Sequence, residues 1–232
     1  MHDRLTPHIV TTERLSRPEI QSILERRTLP ICFVGVDLGE LDLSRLDFSD
    51  CTFERCQIGH ADFTAAQLEN TLWVGCRGTL VNWSSARVTD SQFRSCDLNN
   101  STWYCSTLSQ VHFEGCKLTG ANFSSASTLG LSFNDCLLVS SALTGISFYK
   151  STLRNLDFSD ADLSDCDFRE AVFIEGGSLS HTRVNGAKFF NADLREVNLQ
   201  GLHLKNAQQF KGAIISKLQA AVLLAELGLR IA

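Results

Sequence analysis

Residues 91–123 read SQFRSCDLNNSTWYCSTLSQVHFEGCKLTGANF. Every fifth residue of this stretch is large and apolar: Phe93, Leu98, Trp103, Leu108, Phe113, Leu118 and Phe123. Two places earlier in the unit sits a small residue, such as Cys96, Cys116 or Ala121, and the rest is mostly Asp, Asn, Ser, Thr, Arg or Gly. A period of five matches neither a helix nor a flat strand. It fits a chain that turns a corner once per unit. Four units close a square coil, and successive coils pair through parallel backbone hydrogen bonds about 4.8 Å apart. The large and the small residue then point inward, and the other three face solvent.

The pattern extends in both directions. Stepping by five from Phe33 to Phe173, only Gly78 and Thr128 interrupt the apolar series. One side of the coil collects Phe33, Phe53, Trp73, Phe93, Phe113, Phe133, Leu153 and Phe173, which predicts a ladder of stacked rings. The next side, from Leu38 and Ile58 to Leu138 and Phe158, is mainly aliphatic. After Phe173 the repeat slips by one residue and resumes as Leu179, Val184, Phe189, Leu194, Leu199 and Leu204. The extra residue lies within Ile174–Ser178, where Gly176 and Gly177 permit a bulge or small loop. About nine coils at this spacing make a rod of roughly 40 Å.

Units such as ADFTA (61–65), CDLNN (96–100), ANFSS (121–125), ADLSD (161–165) and ADLRE (192–196) share one template. The template resembles that of the pentapeptide-repeat family. The resemblance implies an all-β solenoid, a right-handed quadrilateral parallel β-helix, over residues 31–206. Residues 1–30 then form an N-terminal capping segment with a short helix, and 207–232 a C-terminal helix and tail.

Both ends of such a ladder need covers. Ser16-Arg17-Pro18-Glu19 is a capping-box signal. It predicts a helix near 17–27 that presents Ile20, Ile23 and Leu24 to the first coil, after an extended stretch at His8–Thr12. The C-terminal stretch predicts a helix at about 215–227, stopped by Gly228. Its polar stripe is narrow, namely Ser216, Gln219 and Glu226. A helix apolar on most sides is buried on most sides. One face covers the last coil. The remainder, with Leu218, Val222, Leu223, Leu227, Leu229 and Ile231, is expected to join a second copy as the dimerisation cap.

A mostly apolar C-terminal helix, then LG and a short hydrophobic tail, resembles the gyrase-interacting subgroup of the family, the Qnr-type and the microcin B17 and albicidin immunity proteins. That resemblance implies a homodimer that engages DNA gyrase or topoisomerase IV, mimics duplex DNA or relieves poisoning, and gives resistance or self-immunity. The alternative is a non-catalytic binding scaffold unrelated to topoisomerases. The formal net charge is −5 and the pI about 5.7, so direct nucleic-acid binding is not expected. Duplex DNA carries about one charge per 1.7 Å, so total charge density does not match it. A local match remains at Asp157, Asp160, Asp162, Asp165, Asp167, Glu170 and Glu175, opposed by Lys150, Arg154 and Arg169. Asp157, Asp162 and Asp167 sit where the template uses Asp to cap corners. Asp160, Asp165 and Glu170 lie at the corners and are the better contact residues.

Nothing in the chain carries the spacing of a catalytic or metal motif. The six histidines are scattered, and no CxxC pair occurs among the nine cysteines. Cys51, Cys56, Cys76, Cys96, Cys116, Cys136 and Cys166 occupy the small inward slot and read as packing. Cys32 and Cys105 fall outside it. No enzyme activity, cofactor or metal is expected. With neither a signal peptide nor an apolar run of membrane-spanning length, the expected place is the cytoplasm and no membrane partner is expected.

Overall fold

The computed structural model describes residues 6–203, 207–226 and 228–229. The chain divides into two compact units, 1–132 and 133–232. Each is built from coils of a right-handed four-sided parallel β-helix.

In the first unit the elements are β1 (His8–Val10), α1 (Arg17–Glu25), β2 (Ile31–Val34), β3 (Thr52–Glu54), β4 (Leu72–Val74), β5 (Arg87–Thr89), β6 (Gln92–Arg94), β7 (Thr107–Ser109), β8 (His112–Glu114) and β9 (Ser127–Leu129). One side is the parallel run β1-β2-β3-β4-β6-β8, and another is β5-β7-β9. The other sides are held by single bridges, as in Asp42↔Asp62↔Asn82↔Thr102↔Asn122. Partners stand one coil apart, Phe53 opposite Trp73 and Trp73 opposite Phe93.

The corners explain the polar residues. Every fifth residue adopts a left-handed conformation, from Glu40 (φ 60°) and Arg45 (φ 61°) to Glu170 (φ 58°) and Glu175 (φ 57°). Such residues cost about 1 kcal/mol each outside glycine. Most of these corners offset part of this by donating their N–H to the next coil, as Arg45 does to Thr64 O at 2.9 Å. Three residues before several of these left-handed positions, an Asp or Asn caps the turn. Asp47 Oδ1 accepts from Ser49 N at 3.0 Å, and Asn82 Oδ1 from Ser84 N at 3.0 Å.

The core is filled by rings. Phe33, Phe53, Trp73, Phe93 and Phe113 stack with centroids 5.1, 3.8, 5.7 and 4.8 Å apart. A second ladder, Phe63, Trp83, Trp103 and Phe123, stacks at 4.4, 4.9 and 5.7 Å. The two meet edge to face, as Trp73 on Trp83 at 5.1 Å and 89°. The inward cysteines turn their thiols to backbone carbonyls: Cys56 Sγ donates to Phe33 O, and Cys116 Sγ to Phe93 O at 3.3 Å.

α1 opens on the expected capping box, with Glu19 accepting from Ser16 N (2.7 Å) and Ser16 Oγ (2.6 Å). Those bonds hold the Glu19 carboxyl below its ordinary pKa. Ile20 and Leu24 are buried as expected, while Ile23 is only half-buried.

From the boundary onward come β10 (Ser132–Asn134), whose first residue closes the first unit, then β11 (Thr152–Asp157), β12 (Val172–Ser178), a short 3-10 turn at Ala207–Phe210 and α2 (Lys217–Glu226). β10, β11 and β12 are parallel neighbours. The expected irregularity is a bulge. Arg154 faces Ile174 but Leu156 faces Gly177, so Glu175 and Gly176 together oppose Asn155. Gly176 (φ 93°) and Gly177 (φ 99°) supply the left-handed geometry. Phe148, Phe168, Phe189 and Phe210 stack at 4.8, 4.8 and 4.7 Å. No described helix is long and apolar enough to cross a membrane.

Candidate interaction surface in the second unit

The acidic residues divide into two sets. Asp157, Asp162 and Asp167 precede the inward Phe158, Leu163 and Phe168 and are half-buried. Each is engaged in its own corner. Asp157 Oδ1 accepts from Ser159 N (2.9 Å) and Ser159 Oγ (2.6 Å). Asp162 Oδ1 accepts from Ser164 N and Oγ at 3.1 and 2.6 Å. Asp167 accepts from Arg169 N and pairs with its guanidinium at 2.7 Å. The Arg169 side chain holds the Asp167 carboxyl below its ordinary pKa, against the opposing effect of burial. The Arg195–Asp193 pair repeats this arrangement, with the same direction of shift.

Asp160, Asp165, Glu170 and Glu175 stand exposed at left-handed corners. Asp160 and Asp165 form no ion pair among the described residues. Asp165 Oδ1 instead leans over Gly186, where an added Cβ would collide with it. Glu170 lies 3.6 Å from Lys150 Nζ and accepts from Tyr149 Oη at 3.3 Å. Glu175 pairs with Arg154 at 2.8 Å. The Tyr149 ring lies between Lys150 and Arg169, which sit 5.0 and 5.1 Å from its centroid. Expected cations thus screen one end of the patch, and Asp160 and Asp165 are its open carboxylates.

The C-terminal helix has an inner and an outer face. Leu223 is buried within its own unit and Val222 is half-buried, whereas Leu218 is 76 % and Leu229 55 % exposed. Leu227 and Ile231 lie outside the described residues, as does Leu204. Gly228 ends the helix as expected: Leu229 N donates to Leu224 O at 3.0 Å and Gly228 N to Ala225 O at 2.9 Å.

Gln219 corrects the sequence reading, which placed it on a solvent-facing stripe. It is buried, and its Nε2 donates to Leu194 O and Val197 O, both at 2.6 Å. Its Oε1 accepts from Ser216 N at 2.7 Å, while Ser216 Oγ accepts from Gln219 N at 3.2 Å. This is a second capping box, legible in Ser216-Lys217-Leu218-Gln219. Sequence reasoning also passed over Phe210, because its spacing from Phe189 is one residue longer than a regular coil.

A β-helix of this kind keeps its large side chains inside and leaves recognition to corners and ends. A family model for the pentapeptide repeat region matches residues 46–123 and 106–176, and one for pentapeptide repeats (8 copies) matches 178–208. These matches take in well over half of the chain, which therefore belongs to the pentapeptide-repeat family. A trypsin-treated variant of QnrB1, a plasmid-mediated fluoroquinolone resistance protein, is similar in structure. The TM-score is 0.71 at 22% identity, over 87% of this chain and 97% of that chain. Full-length QnrB1 gives 0.56 at 18% identity, over 96% and 98%. At such identities the likeness is one of fold. No curated protein matches the chain by sequence.

Proposed function

We propose that this protein is a non-catalytic scaffold that engages DNA gyrase or topoisomerase IV and counters topoisomerase poisons. In this reading residues 207–232 form the dimerisation module, the coils of 31–206 the contact surface, and 1–30 the N-terminal cap. The observation that carries it is the exposed row Asp160, Asp165 and Glu170 in the same unit as the unpartnered Leu218 and Leu229. A two-fold pairing through the helix sets that acidic row beside its copy and offers a basic groove a local match to a phosphate backbone. The likeness in fold to a fluoroquinolone resistance protein supports the choice of partner.

The test is a gyrase supercoiling assay with and without quinolone. The unsubstituted protein should restore or modulate supercoiling. Asp160→Lys, Asp165→Lys and Glu170→Lys together should abolish that effect while the far-ultraviolet β signal stays unchanged. Protection that survives the triple reversal removes the acidic row from the contact. No effect of the unsubstituted protein on gyrase or topoisomerase IV favours a scaffold for some other partner.

A further inference from the structure

Among the described residues no complete coil stands before the first regular coil, yet the carbonyls on that edge are satisfied. Within the first unit the donor rule is regular. The inward residue and the corner residue of one coil donate to two carbonyls of the next, as Leu43 N to Asp62 O (2.7 Å) and Arg45 N to Thr64 O (2.9 Å). On the first coil the equivalent acceptors are Asp42 O and Ser44 O on one side, and Asp47 O and Ser49 O on the next. Among the described residues no backbone N–H donates to them.

Two of the four sides are closed by main chain. β1 pairs with β2 on one, and Arg14 bridges Asp37 on another, with Asp37 N donating to Glu13 O at 2.8 Å. The other two sides are closed by arginines. Arg17 Nη1 donates to Asp42 O and to Asp42 Oδ1 (2.9 Å), and its Nη2 to Ser44 O (2.9 Å). Arg27 Nη1 donates to Asp47 O (3.1 Å) and Ser49 O (3.0 Å), and its Nη2 to Asp47 Oδ2 (2.7 Å). Each guanidinium supplies the two donors that the N–H groups of a preceding coil would supply. Its fixed planar fork suits this, where a lysine would offer a single point of charge. Arg17 is the first residue of α1 and Arg27 lies just past its end, and Ile20 and Leu24 of the helix are buried.

An open ladder edge is a template for another chain. We propose that Arg17 and Arg27 lock the N-terminal edge of the ladder, and that the edge beneath them accepts a second copy of this chain when they are withdrawn. A second copy is the fitting occupant because its coils carry the same four-sided cross-section and the same spacing of donors and acceptors. The lock thereby confines self-association to other surfaces.

The experiment compares Arg17→Ser/Arg27→Ser with the unsubstituted chain by size-exclusion chromatography with light scattering over a wide concentration range. Both are also measured in a Leu218→Asp background, so that contacts through the C-terminal helix add no mass. The double variant should rise with concentration to about double the mass of its matched control, with the far-ultraviolet β signal retained. If the double variant does not fold, Arg17→Ser and Arg27→Ser are read singly, each opening one side of the edge. Folded variants whose mass equals the control at every concentration overturn the proposal.

Discussion

Trp73 Nε1 donates to Thr71 Oγ1 at 3.0 Å, and Trp103 Nε1 to Ser101 Oγ at 2.9 Å. In both cases the acceptor lies two residues before the indole, in the small inward slot. Trp83 has Val81 there, and its Nε1 is buried with no partner among the described residues. A buried unpaired donor costs about 1–3 kcal/mol. Val81→Thr is nearly isosteric and places a hydroxyl where Thr71 places one beside Trp73. The new hydroxyl proton has an acceptor three residues back, as Ser141 Oγ has in Leu138 O at 2.6 Å. Val81→Thr should therefore stabilise the protein by about 1 kcal/mol. Urea unfolding should show a higher midpoint at unchanged slope. A lower midpoint would mean that the indole nitrogen is already satisfied.

At the scale of the element, the coils were legible because one side chain in five reports each turn, and no other regular structure shares that period. The bulge was legible too, since an extra residue shifts every later inward position by one. Its energetics needed the structure. Gly176 has open space where a Cβ would stand, whereas a Cβ on Gly177 would collide with the Leu156 carbonyl across the strand pair. Gly176→Ala should cost about 1 kcal/mol, the strain of a left-handed alanine. Gly177→Ala should cost about 2 kcal/mol or more, because strain and collision add. Thermal unfolding of the two variants separates them, and equal losses would mean that the strand pair simply opens. Other features stayed hidden for definite reasons. The second ring ladder appears only when one steps a whole coil at a time from Phe63. Gln219 was misread because a helical pattern sends polar residues to solvent, while the carbonyls of Leu194 and Val197 lie a coil away in sequence. The division of the acidic row into corner caps, Asp157, Asp162 and Asp167, and exposed corner residues followed from position in the template, whereas the pairing of Glu170 with Lys150 and of Glu175 with Arg154 needed the structure.

Over the whole molecule, two inward cysteines, Cys51 and Cys166, make stability depend on alkaline pH, one in each unit. Burial pushes the thiols of Cys51, in the first unit, and Cys166, in the second, up to about 12. Their ordinary value is 9.0. A group whose folded pKa is raised contributes stability that is complete below its unfolded pKa. That contribution fades as pH rises from about 9 to about 12, because the unfolded chain loses the proton first. Each thiol contributes a slope of up to about 1.4 kcal/mol per pH unit in that window. Cys51→Ala/Cys166→Ala keeps the slot apolar and removes both protons from the balance. The variant should be less stable than the parent at pH 7, where it has lost two packed sulfurs. It should then lose less stability than the parent between pH 8 and 10.5, a range set by the same about 9 to about 12 window. Parallel urea curves for the two proteins at both pH values would show that these thiols ionise alike in folded and unfolded chains, and so are not sealed in the core.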